Sequence, residues 1–201
     1  SLRGFKLNII AMPKQSSGHF APAGGNSEDH NQRKELDREY LLKNDTTVPE
    51  NISIIKQSIA SRLEEIKELY ATNILSKNGK PMKWQDQMKP IKECVFNLDK
   101  PSFLDKNGDL TIEACKERFE SLNNRLNEKY GITAFQTYIH FDEGKKMKDG
   151  SITPVFERNL HAHVVYDFQL KRPRTFEKKK KNGEVETITL KAGQMASLTP
   201  S

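Results

Sequence analysis

Two stretches decide the fold: residues 133–141, TAFQTYIHF, and residues 159–168, NLHAHVVYDF. In both, side chains alternate as in a half-buried β-strand, whose successive residues point to opposite faces. On the first strand the two predicted faces are Phe135, Thr137, Ile139 and Phe141, and Gln136, Tyr138 and His140. A polar connection with the turn signal Asp149-Gly150 separates the stretches, so we expect them to be neighbours in one sheet.

Three histidines fall on these two strands. His161 and His163 are two positions apart and therefore project from one face. His140 supplies a third imidazole if the strands pair with their polar faces aligned. Three imidazoles with open coordination positions suit catalysis, because a substrate oxygen can reach the metal. We predict a metal site on His140, His161 and His163; the alternative is three surface histidines on a polar sheet face.

The remaining pattern predicts an α+β domain with a mostly antiparallel central sheet. Residues 5–12 and 93–98 are typical of strands, and a surface helix is expected from Glu28 onward, through residue 42. Apolar residues at three- and four-residue spacing predict helices at 51–75 and 110–129, with Cys115 in the core. We expect both helices to pack on the sheet face opposite the histidines.

Charge is unevenly distributed along the 201 residues, whose net charge is +6. Residues 171–191 hold eight basic residues and three glutamates, hence a net charge of +5. Such a stretch attracts polyanions, although a solvated loop is the alternative. We expect one domain at residues 1–170 and a basic, hairpin-like extension at 171–201. No membrane-length apolar run and no secretory leader are recognised, so a cytoplasmic location is expected.

A resemblance to a known family rests on three strings. HFDEG at 140–144, followed by NLHAHVVYD at 159–167, resembles the signature of Mob/Pre (MobV-type) plasmid-mobilisation relaxases, particularly those of Bacteroides-type elements. DHNQR at 29–33 resembles the amino-terminal histidine-asparagine-x-arginine motif of that family. The resemblance implies an HUH-relaxase-like fold. It also implies that residues 171–201 contain the start of a truncated C-terminal region.

The resemblance implies a DNA-nicking and strand-joining endonuclease that acts at a transfer origin through a covalent 5'-phosphoryl intermediate. His30 would be the nucleophile, Arg33 a phosphate or orienting contact, and Glu143 a proton acceptor or an orienting group. Tyr40, on the same predicted helix, is the alternative nucleophile, because many other histidine-pair nucleases use tyrosine.

Phosphoryl chemistry and the resemblance to this family favour Mn²⁺ or Mg²⁺ as the bound metal. Three imidazoles also bind Zn²⁺ or Ni²⁺, and either could occupy the site in a crystal. The expected partners are single-stranded and hairpin origin DNA, and other mobilisation or coupling proteins. No association with a membrane is expected. The residues expected to contact DNA are Arg3, Lys6, Arg38, Lys171, Arg172 and Arg174.

Three other functions stay open. A rolling-circle replication initiator or transposase would form a tyrosine adduct. A tris-histidine hydrolase would turn over a small ester or amide without DNA. A DNA-binding module without chemistry would bind DNA but show no metal-dependent cleavage.

Overall fold

The fold is built around one five-stranded sheet. The computed structural model describes residues 20–34, 41–42, 50–72, 74, 78–98 and 103–198. The sheet strands are β1 (Ala21–Pro22), β2 (Ile52–Ile55), β3 (Ile91–Asn97), β4 (Thr133–His140) and β5 (His161–Asp167). The helices are α1 (Gly25–Asn31), α2 (Ile59–Thr72) and α3 (Ile112–Tyr130), with a 3-10 turn at Val155–Glu157. The strand order is β1-β3-β5-β4-β2 and every neighbouring pair is antiparallel, which confirms the α+β class and the antiparallel sheet.

Strand β5 lies at the centre of the sheet, between β3 and β4, and all seven of its residues are buried. Its branched and aromatic residues suit a strand that is covered on both faces. His161 is opposite His140 of β4, so the predicted pairing of the two histidine strands is confirmed. Because a slip of one residue would turn both β5 histidines to the other face, the central position fixes their orientation.

A β-bulge lies near the start of β4. Ala134 and Gln136 face consecutive residues of β5, so Phe135 is the extra residue. Ala134 packs in the core that includes Ile139, whereas Phe135 packs with Val165 on the other side of the sheet. The expectation that Phe135 shares a face with Ile139 is therefore wrong, because the bulge changes the alternation at that position. From Gln136 onward the predicted alternation holds.

Helix α3 covers the sheet face opposite the histidines. It begins after Thr111, whose hydroxyl accepts a hydrogen bond from the backbone amide of Ala114, and it ends at Gly131 in the left-handed conformation (φ 76°). Its side chains share one core with those of β4 and β5: Cys115, Phe119, Leu126, Ile139, Ala162 and Val164. The helix predicted at 110–129 and the buried position of Cys115 are confirmed.

The helix predicted at 51–75 needs a correction. Residues Ile52–Ile55 form β2, which pairs with β4, and the helix begins only at Ile59. The isoleucines of this segment are spaced as in a helix, but pairing with a distant strand decides the conformation of the first four residues.

Helix α2 packs on the side of the sheet that carries the histidines. Its buried Ile59, Ile66 and Tyr70 form a second core with Phe135 and Val165. The expectation that both long helices lie opposite the histidines therefore holds for α3, whereas α2 shares the histidine side with α1.

Helix α1 is shorter than the sequence suggests. It ends at Asn31, and Arg33 follows with a positive φ of 58°, a conformation that does not continue a helix. Several sequence-based expectations lie outside the described residues: the strand at residues 5–12, and Arg3, Lys6, Arg38 and Tyr40.

The basic extension forms a separate two-stranded ribbon. Its strands are β6 (Arg174–Lys179) and β7 (Val185–Leu190), which pair antiparallel. After the ribbon the chain returns to the main body, where Met195 bridges Gln169 and packs against the α3 side of the core. In the part of the chain that is described, no helix combines the length and the apolar character needed to cross a membrane.

Candidate metal centre

The three predicted histidine ligands meet at one end of the sheet. His140 ends β4, and His161 and His163 lie on β5, all facing the α1 side. They are buried, with 1%, 5% and 8% of their surfaces exposed. Each offers one ring nitrogen, and the three ligand atoms lie within 4.8 Å of one another. The predicted convergence is confirmed, and the cluster could hold a metal ion.

Each of these imidazoles has an acceptor on the ring nitrogen that faces away from the cluster. Nε2 of His140 lies 2.9 Å from the carbonyl oxygen of Asn31, and Nδ1 of His161 lies 2.9 Å from that of Asn159. Nδ1 of His163 lies 2.5 Å from Oε1 of Glu93. Since a carbonyl or carboxylate oxygen only accepts, each of these nitrogens carries the proton. When the ring is neutral, the nitrogen that faces the cluster then presents a lone pair.

This donor set fits a cation. Nδ1 of His140 and Nε2 of His161 are 3.2 Å apart. Two imidazole nitrogens at about 2.1 Å from one metal lie roughly 3 to 3.4 Å apart, so the spacing matches shared coordination. Burial, followed by the positive charge of Arg33, lowers the pKa of His140 to about 3, and burial also lowers the pKa of His161. Both rings are therefore neutral at physiological pH, the form that binds metal.

Arg33 and Glu143 lie beside the histidines. The Nη2 of Arg33 donates to Oε1 of Glu143 at 2.8 Å and to Oδ1 of Asp142 at 3.2 Å. The same Glu143 oxygen lies 3.6 Å from Nε2 of His161. Burial would raise the pKa of Glu143, but the hydrogen bond from Arg33 and the nearby His161 hold it below its usual value. Glu143 is therefore an anion at the edge of the candidate metal site.

The described residues leave part of the Arg33 guanidinium unpaired. Its Nε and Nη1 atoms are buried, and no described residue gives either of them a hydrogen-bond partner. A buried N–H without a partner is costly, so such groups indicate a missing ligand or a strained site. They lie on opposite sides of the guanidinium, each next to Nη2, which donates to Asp142 and Glu143. As far as the described residues go, either nitrogen could donate to an added anion.

Helix α1 brings His30 to the cluster. The ring of His30 lies 5.7 Å from the ring of His163, measured between centroids, at an interplanar angle of 70°. His30 thus lies near the cluster, and Arg33 and Glu143 lie beside the same cluster. The residues that the resemblance implies as catalytic, His30, Arg33 and Glu143, therefore lie around one end of the sheet.

Sequence analysis missed Glu93, although it contacts a predicted ligand. Glu93 lies on β3 and pairs with Val165 of the neighbouring strand β5. In a strand, Glu93 must face the side opposite to its neighbour, the buried Cys94, and the sequence contains that signal. That Glu93 contacts His163 follows only from the position of β3 beside β5.

The predicted DNA contacts in the extension lie at the other end of the sheet. Lys171 and Arg172 are exposed. Arg174 is half-buried, donates to the carbonyl oxygens of Tyr130 and Ser197, and lies over the rings of Tyr130 and Phe176. Arg174 therefore holds the base of the ribbon, whereas Lys171 and Arg172 are accessible to a polyanion.

Comparisons with protein families, with curated proteins and with solved structures find no match for this chain.

Proposed function

We propose that this protein is a relaxase of the plasmid-mobilisation type, which nicks and rejoins one strand of transfer-origin DNA in the bacterial cytoplasm. The observation that carries the proposal is the meeting of His30, Arg33 with its two buried nitrogens that no described residue pairs, and the three-histidine cluster at one end of the sheet. A nucleophile, an anion contact and a cation site are the parts that phosphodiester transfer needs.

The proposed role of Arg33 is to hold the scissile phosphate. Either Nε or Nη1 would donate to a phosphate oxygen, and the positive charge of the guanidinium would offset the charge of the anion. Its Nη2 stays on Asp142 and Glu143, which fix the plane of the group. The phosphate would then satisfy one of the two buried donors that the described residues leave unpaired.

The proposed nucleophile is the imidazole of His30. Its nitrogen lone pair forms a bond to phosphorus as the bond from phosphorus to the 3'-oxygen breaks. The proton on the other ring nitrogen is released, and the leaving oxygen gains a proton to become a 3'-hydroxyl. The products are a phosphohistidine that carries the 5' end of the strand and a free 3' end. Attack by a 3'-hydroxyl reverses these steps and joins the strand.

The proposed cation ligands are His140, His161 and His163, with Glu143 beside them. A divalent cation supplies charge that stabilises the non-bridging phosphate oxygens as the bond breaks. The carboxylate favours a hard ion, so Mn²⁺ or Mg²⁺ is proposed, although three imidazoles also suit Zn²⁺ or Ni²⁺.

The proposed DNA substrate is a single-stranded nick region with an adjacent hairpin. The exposed Lys171 and Arg172 and the ribbon lysines would contact backbone phosphates away from the nick. The expected affinity is therefore sensitive to salt.

The test is covalent trapping with single-stranded oligonucleotides that carry candidate origin sequences, in Mn²⁺. Mass spectrometry of the digested adduct should place the 5'-phosphate on His30, and His30→Ala should abolish the adduct. An adduct on Tyr40 would keep the nicking function but assign it to the tyrosine class. Absence of an adduct and of nicking with every origin tested, in a protein that still binds metal, would contradict the proposal.

A further inference from the structure

The three histidines are supported in two different ways. Main-chain carbonyl oxygens hold His140 and His161, whereas the carboxylate of Glu93 holds His163. A carboxylate that accepts the N–H of a metal-binding imidazole fixes its tautomer and orientation, and makes its other nitrogen a better ligand. Glu93 therefore acts on His163, whose outer nitrogen is held by a side chain, whereas main-chain oxygens hold those of His140 and His161.

Glu93 also contacts helix α1. Its Oε1 accepts a hydrogen bond from Nδ2 of Asn31 at 2.9 Å. Asn31 is the last residue of α1, it follows His30, and only 2% of its surface is exposed. Burial would raise the pKa of Glu93, but the hydrogen bonds from His163 and Asn31 hold it below its usual value, so the carboxylate is charged.

Asn31 thus reaches two of the three ligands by different routes. Its carbonyl oxygen accepts from His140, and its side chain donates to Glu93, which holds His163. Any movement of the α1 end would disturb both contacts. The position of His30 and the geometry of the cation site are therefore mechanically connected.

We propose that Glu93 is a positioning residue that sets the His163 imidazole for cation binding and, through Asn31, fixes the end of α1 that carries His30. Cation binding then orders α1, and a cation-free site leaves His30 less well placed. The role given to His30 rests on the proposed function, whereas the link between Glu93, the cation and α1 does not.

The first test measures cation binding. Titration calorimetry with Mn²⁺ and with Zn²⁺ should show affinity reduced about 10- to 100-fold in Glu93→Gln, which keeps the size of the side chain and removes its charge. The matched control is Glu117→Gln, at an exposed carboxylate on α3, which should bind as the wild type does. Thermal melts of each variant in chelator establish that it is folded.

The second test measures the coupling to α1. Amide hydrogen exchange of peptides covering residues 25–31 should slow when cation binds the wild type, and should slow much less in Glu93→Gln at saturating cation. Asn31→Ala keeps the carbonyl contact to His140 and removes the bond to Glu93. It should bind cation within a few-fold of wild type and still lose the added protection of α1.

Three results would overturn the inference. These are wild-type affinity in Glu93→Gln, exchange in residues 25–31 that does not respond to cation, and a wild-type protein that binds neither Mn²⁺ nor Zn²⁺. Failure of the proposed function looks different: the wild type would nick no origin DNA, while Glu93→Gln would still weaken cation binding and uncouple α1.

Discussion

Nδ1 of His140 faces Nε2 of His161 at 3.2 Å, and both rings direct their protons to backbone carbonyls on the far side. Two lone pairs that face each other across this distance repel, unless a cation lies between them. The folded protein therefore contains a site whose electrostatics favour a cation, and this has consequences for its stability.

Cation binding should raise the thermal stability. If the cation binds only the folded state, a free cation concentration of about 100 times the dissociation constant raises the free energy of unfolding by roughly 2.7 kcal/mol. For a chain of this size that corresponds to a rise in Tm of about 5 to 10 °C. Differential scanning calorimetry with chelator and with Mn²⁺ or Zn²⁺ measures it. His163→Ala should abolish the rise, whereas Lys116→Ala, at an exposed position of α3, should keep it; an equal rise in both variants would contradict the site.

The cation-free protein should lose stability in mild acid. Burial first, and Arg33 second, hold the pKa of folded His140 at about 3, whereas an unfolded histidine titrates near 6.5. Between these values the unfolded chain binds more protons, so the free energy of unfolding falls as the pH drops from about 6.5 and continues to fall to about 3. Urea denaturation in chelator at pH 7.5 and pH 5 measures this loss, which His140→Gln should reduce; an unchanged loss in that variant would count against the lowered pKa.

Arg33→Lys should separate phosphate contact from cation binding. Lysine keeps the positive charge but cannot donate to the two carboxylates and to the phosphate from one fixed plane, so the nicking rate should fall about 10²- to 10³-fold, as when one transition-state donor is removed. Mn²⁺ affinity should stay within a few-fold, since Arg33 contacts carboxylates and not the cluster nitrogens. Single-turnover cleavage of an origin oligonucleotide measures the rate. The control is Lys34→Gln, at an exposed position, and equal rates for the two variants would refute the phosphate role.

Gly144→Ala should destabilise the segment behind Glu143. A Cβ at this position would lie 2.7 Å from Cδ1 of Leu42 and 3.2 Å from Cγ of the buried Arg158. Overpacking of this kind costs about 1 to 3 kcal/mol, which chemical denaturation can measure. Gly24→Ala meets no atom within 4 Å and should cost less. Equal losses would mean that the segment adjusts without strain.

The histidine strands were predictable because their signal is local. Alternation over β4 and β5 is set by the period of the strand, and His161 and His163 must share a face in any sheet. Helix α3 was predictable for the same reason, since its apolar stripe lies within one segment. The resemblance added His30 and Arg33 to the site, which spacing alone does not do.

The remaining features depend on partners that are distant in sequence. Residues of β2 have helical spacing, and only pairing with β4 makes them a strand. The side of the sheet that α2 covers depends on Phe135, whose bulge is visible only in the register with β5. Glu93 was missed because its role requires β3 to lie beside β5, an order that no local pattern encodes.

The bulge at Phe135 divides β4 into two parts that tolerate changes of chain length differently. Deletion of the extra residue would restore regular antiparallel pairing at the start of β4. His140 would stay opposite His161, because the number of residues from Gln136 to His140 is unchanged. Loss of one residue between Gln136 and His140 would turn the imidazole into the α3 core or break the pairing. Over evolution, insertions and deletions at the bulge could therefore reshape the α2 layer while the cation ligands keep their places.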